Sequence, residues 1–227
     1  MAENQSSDNK KAGNSSINKF KEEVGPVGFI GAIVGLVVLV GASVIFFLNF
    51  RNDQRNEEAQ NEIFQAQYYY ENDSLDYALN GDGRNLGFVQ IIDIYSGTEV
   101  ANLASFYAGA SYLKQRQYNE AISYLEDFST GEEIVMARAQ KLLGDAYMEL
   151  GNFSDAADNY MAAANTVDDQ FFSPTYLIGA ALAFEKSGDL DGAIDAYDQI
   201  IENYKDAADA VLEARKQKTR LEILAGR

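Results

Sequence analysis

The stretch AQKLLGDAYMELGNFSDAADNYMAAA, residues 139–164, decides how the chain is read. Its centre is a short turn, LGNFSD, in which Gly151 can take the left-handed conformation that ends a helix and Ser154 can cap the next. Gly144 lies before the turn and Ala156 after it, so two helices can cross closely at small residues, and Tyr147 can fill the space beside that contact. Sliding the chain along itself repeats the pattern at 102–133 and 174–205. Gly109, Gly144 and Ala181 form one small-residue column, and Ala121, Ala156 and Ala193 another. Tyr112, Tyr147 and Phe184 align, as do Tyr118, Phe153 and Leu190, then Leu125, Tyr160 and Tyr197, then Phe128, Ala163 and Ile200.

Each unit reads as helix, turn, helix, with turns QRQYNE, LGNFSD and SGDLDG and caps expected at Asn119, Ser154 and Asp191. One helix pair cannot cover its own apolar faces, so stability requires stacked neighbours. These residues resemble the tetratricopeptide repeat, which implies an all-α solenoid over 102–205 in three repeats (102–133, 137–168, 174–205). Departures are Ala181 for the usual Gly, Arg116 for the turn Gly, and Glu133, Asp168 and Lys205 where the closing Pro would stand, with the loops FSTGEE and NTVDDQFFSP in its place. The resemblance implies a concave partner groove lined by Phe106, Ala110, Leu113, Lys141, Asp145, Met148, Ile178, Leu182 and Glu185. Ala110, Asp145 and Leu182 occupy the places of the Asn with which some family members hold a peptide's terminal carboxylate, so that clamp is not expected.

Outside the repeats, residues 56–70 read as a helix with an apolar face of Ile63, Phe64, Ala66, Gln67 and Tyr70. Residues 86–95 read as the second helix of a degenerate repeat within 51–101, ended by Ser96 and Gly97. GDGRNLG, 81–87, has the spacing GxGxxxG without a preceding strand and carries Asp82, which would repel a phosphate; a flexible connector is expected. Residues 206–227 hold the solvating end helix, where Arg215, Lys216, Lys218 and Arg220 read as cations meeting the helix dipole, or alternatively as a docking patch for an acidic partner.

Residues 24–50 contain no charge, and 28–50 are almost wholly apolar. As a helix, 28–50 would cover about 35 Å, enough to cross a hydrocarbon core of about 30 Å. Lys10, Lys11, Lys19 and Lys21 precede the span, against Arg51 and Arg55 just after it, which favours a cytoplasmic N-terminus. Residues 1–23, rich in Asn, Ser and Lys, should be disordered. Within the span, Gly28, Gly31, Gly35 and Ala42 recur on one side and offer a face for close helix packing in lipid.

The formal charge is -17, and the tail and span are neutral, so all of it belongs to 51–227. Residues 51–214 hold 9 cations and 30 anions; 215–227 hold five cations and one anion. Such acidity argues against sequence-independent nucleic-acid binding. With no Cys and no His there is no disulfide framework, no usual zinc site and no Cys or His nucleophile-base pair. No catalytic constellation or cofactor motif emerges, and a binding role is expected.

A neutral tail, one N-terminal span, a helix following it and a short acidic repeat solenoid resemble the YfgM family, in the version common in Bacteroidota. The resemblance implies an inner-membrane protein with a periplasmic solenoid, ancillary to the SecYEG translocon and working with a PpiD-like chaperone on emerging polypeptides. Asp73-Ser74-Leu75 also resembles the O-glycosylation acceptor of that group. A different reading of the same layout is an organelle import receptor whose cytosolic acidic solenoid binds basic targeting peptides.

Overall fold

The computed structural model describes the backbone of residues 2–226 and the side chains of Gly25, Ile30, Gly31 and residues 33–226. Two compact units divide between Gln54 and Arg55. The expectation of a disordered tail over 1–23, and the place of Gly28 in the small-residue face, fall outside the residues described with side chains.

The first unit belongs to helix α1 (Ala2–Glu71), whose helical geometry breaks at Gly25 (φ 72, ψ 167), the residue before Pro26. A positive φ is open to Gly at little steric cost, and Pro favours the first position of the helix that follows. From Ile33 onward α1 is long and apolar enough to cross a membrane. Leu36, Val37, Leu39 and Phe46 are 63%, 64%, 67% and 73% exposed, so none of the described residues covers this apolar surface. The one hydroxyl, Ser43, donates to the Leu39 carbonyl at 2.8 Å and needs no water.

The second unit is all helix among the described residues and opens with the last turns of α1. Ala59, Ile63 and Ala66 recur at helical spacing and are buried against Leu79, Phe88, Ile91, Val100, Ala104 and Ala108. Phe64, expected on that face, is instead 72% exposed, one position off the buried stripe. Arg55 donates to the carbonyls of Ile94 and Ser96 at 2.7 and 3.2 Å, and Asn56 accepts from the Val100 N–H at 3.0 Å. Those bonds close the orphan backbone groups between α3 (Phe88–Ile94) and α4 (Glu99–Lys114).

A short helix α2 (Leu75–Asn80) was not expected from the sequence. Nor is GDGRNLG a loose connector. Asp82 accepts from the N–H groups of Arg84 and Asn85 at 2.8 and 2.7 Å, and from the Tyr69 hydroxyl at 2.7 Å. The backbone donors at Asn85 and Arg84, then Tyr69, hold its carboxyl well below the usual carboxylate range. A Cβ on Gly87 would lie 2.3 Å from the Leu79 carbonyl oxygen and one on Gly81 would lie 2.3 Å from that of Asn85, so these two glycines serve close backbone approach.

Three helix pairs follow: α4 with α5 (Tyr118–Glu126), α6 (Glu133–Leu150) with α7 (Phe153–Val167), and α8 (Ser173–Ser187) with α9 (Leu190–Asn203). The small-residue columns sit at the crossings. A Cβ on Gly109 would meet Leu125 Cγ at 2.5 Å, and one on Gly144 would meet the Tyr160 ring at 2.8 Å. Ala121, Ala156 and Ala193 are wholly buried opposite them. Helices α4, α6 and α8 end the same way: Arg116 (φ 62), Gly151 (φ 78) and Gly188 (φ 86) are left-handed. The following N–H of Gln117, Asn152 or Asp189 reaches back to Tyr112, Tyr147 or Phe184, each at 2.9 Å. Arg116 keeps the geometry without the residue type.

Two expectations are corrected. The capping positions are Gln117, Asn152 and Asp189, two residues earlier than Asn119, Ser154 and Asp191, because the chain turns into the second helix immediately after the left-handed residue. Asp189 alone of the three caps through its side chain, to the Gly192 N–H at 2.9 Å. The cations of the end helix α10 (Ala208–Leu224) do not reach its last turn, so the dipole reading fails. Lys218 pairs instead with Asp198 at 2.5 Å and Arg220 with Glu185. Ala214 and Leu221 are fully buried beneath them, against the last repeat.

Gly144→Ala is expected to lower stability by about 1–3 kcal/mol through overpacking against Tyr160, read as a lower midpoint in thermal unfolding followed by circular dichroism. Gly131→Ala is the control, since nothing lies within 4 Å of its Cβ; equal losses in both variants would refute the close-crossing account. Arg116→Gly should raise the midpoint, worth up to about 1 kcal/mol, by relieving a left-handed side-chain-bearing residue, whereas Gly151→Ala should lower it by a similar amount.

Candidate functional site

A cleft of about 490 Å³ opens where the first and second repeats meet, lined by Leu113, Lys114, Arg116, Tyr118, Asp145, Met148, Glu149 and Tyr160. Three of the nine expected groove residues, Leu113, Asp145 and Met148, come together here. Lys141 joins them from one turn back on α6, its ammonium 2.6 Å from Asp145. Phe106 and Ala110 are 7% and 3% exposed and belong to the core. The Phe106 ring lies 5.4 Å from that of Phe128, packed with Leu125, Ala139 and Leu143, so neither residue offers surface to a partner. Ile178 and Leu182 stand further along on α8, Leu182 at 44% exposure. Glu185 is engaged by Arg220 of the end helix.

Tyr160 supports the cleft from beneath. Its ring lies between α6 and α8: a Cβ on Gly144 would meet it at 2.8 Å and one on Gly179 at 3.1 Å. Its hydroxyl donates to Asp145 at 2.7 Å. Burial first, and then the Asp145 carboxylate, push its phenol far above the ordinary tyrosine range. Across the cleft, the Tyr118 hydroxyl donates to Glu149 at 3.0 Å, and its phenol is raised by desolvation and by Glu149. Both phenols therefore stay neutral donors that orient carboxylates. That is an arrangement for holding a surface in shape, without an activated nucleophile.

The cationic side is Lys114 and Arg116. Lys114 lies 3.0 Å from Asp73 and 4.6 Å over the Tyr70 ring. Around the cleft Lys114, Arg116 and Lys141 stand beside Asp73, Asp145 and Glu149, so it carries both signs of charge in a domain that is strongly acidic over 51–214. Leu113 and Met148 supply the apolar contact. Sequence reasoning placed only first-helix positions in the groove and so missed Arg116 and Tyr118, which lie at the turn and the start of α5, and Tyr160 on α7. Arg116 carried a usable signal, a long cation in a column otherwise filled by glycine.

Elsewhere, Asp73 is left-handed (φ 57) and Ser74, half-buried, is the residue preceding α2.

Residues 106–171 and residues 177–207 match two models of the tetratricopeptide repeat. No curated protein matches the chain in sequence. Among solved structures it is similar to a Podosopora anserina kinesin light chain with nearly identical TPR-like repeats, at TM-score 0.57 and 14% identity, over 75% of this chain and 88% of that one. A single-substitution variant of the same protein gives TM-score 0.57 at 15% identity, with the same coverage. At such identity the likeness speaks to fold alone. Residues 106–171 and 177–207 thus carry tetratricopeptide repeats, of a kind suited to protein–protein interaction, in a unit that is all-α among the described residues, and one N-terminal helix is long and apolar enough to span a membrane.

Proposed function

We propose that this is a non-enzymatic, membrane-anchored scaffold whose repeats hold a segment of a partner protein in the cleft between Leu113 and Met148. The observation that carries the reading is that cleft: apolar contact from Leu113 and Met148 beside charges of both signs, Lys114 and Arg116 with Asp145 and Glu149, on a domain that is acidic over 51–214. A partner segment with an apolar side chain flanked by a carboxylate suits it. Helix α1 supplies the anchor, single-pass in the bilayer, and Gly31, Gly35 and Ala42 leave a face on which a second membrane helix could pack. The lysines of the tail favour a cytoplasmic N-terminus and hence, in a bacterial inner membrane, a periplasmic repeat domain.

The resemblance to the YfgM family supports a finer reading: an ancillary subunit of the SecYEG translocon that docks a PpiD-like chaperone and assists emerging polypeptides. The acidity of 51–214 favours one other reading, an import receptor with a cytosolic repeat domain that takes basic targeting peptides. Protease shaving of intact cells or organelles separates the two by the side on which residues 51–227 are cut.

Photo-crosslinking in cells from Met148 and Leu182, with Gly35 as the membrane-level probe, is the direct test. Crosslinks from Met148 to a translocon subunit, a PpiD-like chaperone or a nascent chain are expected, and Lys114→Glu should reduce them. Crosslinks confined to Gly35 would refute the cleft as the docking surface while leaving the anchor intact.

A further inference from the structure

The loop between α7 and α8 is built more tightly than a connector needs. Asp168 ends α7 in a left-handed conformation (φ 36) and accepts from the Tyr204 hydroxyl at 2.8 Å. Asp169 Oδ1 accepts from the N–H groups of Phe171 and Phe172 at 2.8 and 2.6 Å. The Asp169 N–H donates to Ser173 Oγ at 3.0 Å, and that buried hydroxyl donates to the Ala164 carbonyl at 2.9 Å. Gln170 donates to the Asn203 carbonyl at 3.1 Å and so ties this loop to the next, between α9 and α10. Phe172 stacks on Tyr176, ring centroids 6.4 Å apart and 15° from parallel.

The product of this bonding is Phe171, 84% exposed at the loop tip, the most exposed large apolar side chain among the described residues. A flexible loop would let that ring fold back onto Tyr176 or the α8 surface. Here the Asp169 turn points it outward, and the preorganisation lowers the ordering cost of any complex it enters. The two loop segments are acidic: residues 168–172 and 202–209 carry Asp168, Asp169, Glu202, Asp206 and Asp209 against Lys205, with Arg138 near enough to act on Tyr176. An anionic lipid surface would be repelled by those carboxylates, and a second copy of this chain would meet them with a domain that is acidic outside 215–227.

We propose that Phe171 is the apolar anchor of a second docking surface, distinct from the cleft, and that its partner is a protein with an apolar pocket or helix face rimmed by Lys and Arg. The chain then grips one partner at two points, or two partners at once, the cleft accepting an acidic segment and the loop edge a basic one.

The test uses the full chain in detergent micelles and a fluorescein-labelled amphipathic helical peptide of 18 residues made from Leu and Lys, read by anisotropy. Binding to the parent chain is expected, with a loss of at least about tenfold in Phe171→Ala. Asp206→Asn together with Asp209→Asn should weaken binding and flatten its salt dependence. Met148→Ala should bind like the parent, and a peptide with Ser in place of Leu should bind far less well. The surface exposure of Phe171 means that its removal should leave the thermal midpoint unchanged, which circular dichroism checks. Equal binding by Phe171→Ala, equal binding of the Ser/Lys peptide, or loss in Met148→Ala alone would each overturn the proposal. So would a Phe171-dependent dimer in sedimentation velocity or Phe171-dependent capture on phosphatidylglycerol vesicles, which would assign the knob to a second copy or to lipid.

Discussion

The repeat domain depends on the contact between the Tyr160 ring and the two glycine backbones, Gly144 before it and Gly179 after it. An aromatic ring buries a large apolar area, and this one lies so close to α6 and α8 that a Cβ at either glycine would crowd it. That one side chain joins α6, α7 and α8, and its hydroxyl fixes Asp145 and, through it, Lys141. Packing and binding surface are thus consequences of the same ring: the apolar part sets the helix spacing, and the polar tip arranges the cleft above it. The equivalent crossing in the preceding repeat uses the smaller Leu125 against Gly109. There the phenolic tip is absent, and Phe106 is drawn into the core instead of facing the groove.

A stacked array has two ends that must be closed, and the chain closes them by different physics. At the N-terminal end, Arg55 and Asn56 satisfy backbone groups of the α3–α4 connection, while Ala59, Ile63 and Ala66 cover the first apolar face. At the C-terminal end, α10 buries Leu221 and Ala214, and spends Lys218 and Arg220 on Asp198 and Glu185. The +4 excess of residues 215–227 is in part a counter-charge for the last repeat rather than a free basic patch. These pairs are partly exposed, so their contribution is modest, and the buried leucine carries more of the closure.

Charge then sorts the surfaces. A domain with 9 cations and 30 anions over 51–214 repels most anionic surfaces. Lys114 and Arg116 stand out against it because the cleft lies where α4 ends and turns. Phe171 stands out for the opposite reason, an aromatic ring held in water amid carboxylates. Neither feature belongs to the repeat pattern; both sit at positions where a unit departs from it, in a turn lacking its glycine and in a loop lacking its closing proline.

What could be read from residues alone was what recurs. The small columns, the aromatic columns, the left-handed turn positions and the apolar helix at 28–50 all follow from local spacing, because each repeat packs mainly on its neighbour and its requirements return with the period. The sequence by itself therefore determined the all-α class, the three helix pairs and the uneven charge. Tertiary structure decided the rest, through bonds between residues far apart in the chain: Arg55 to Ile94 across 39 positions, Asn56 to Val100 across 44, Gln170 to Asn203 across 33. Other contacts decided the details: Tyr69 and the backbone around Asp82 fixed GDGRNLG, packing with Phe128, Leu125 and Leu143 took Phe106 into the core while Phe64 stayed outside it, and the bonds of Asp169 set Phe171 facing water. No periodicity encodes the long-range bonds, since each depends on which backbone groups the folded neighbours leave unpaired.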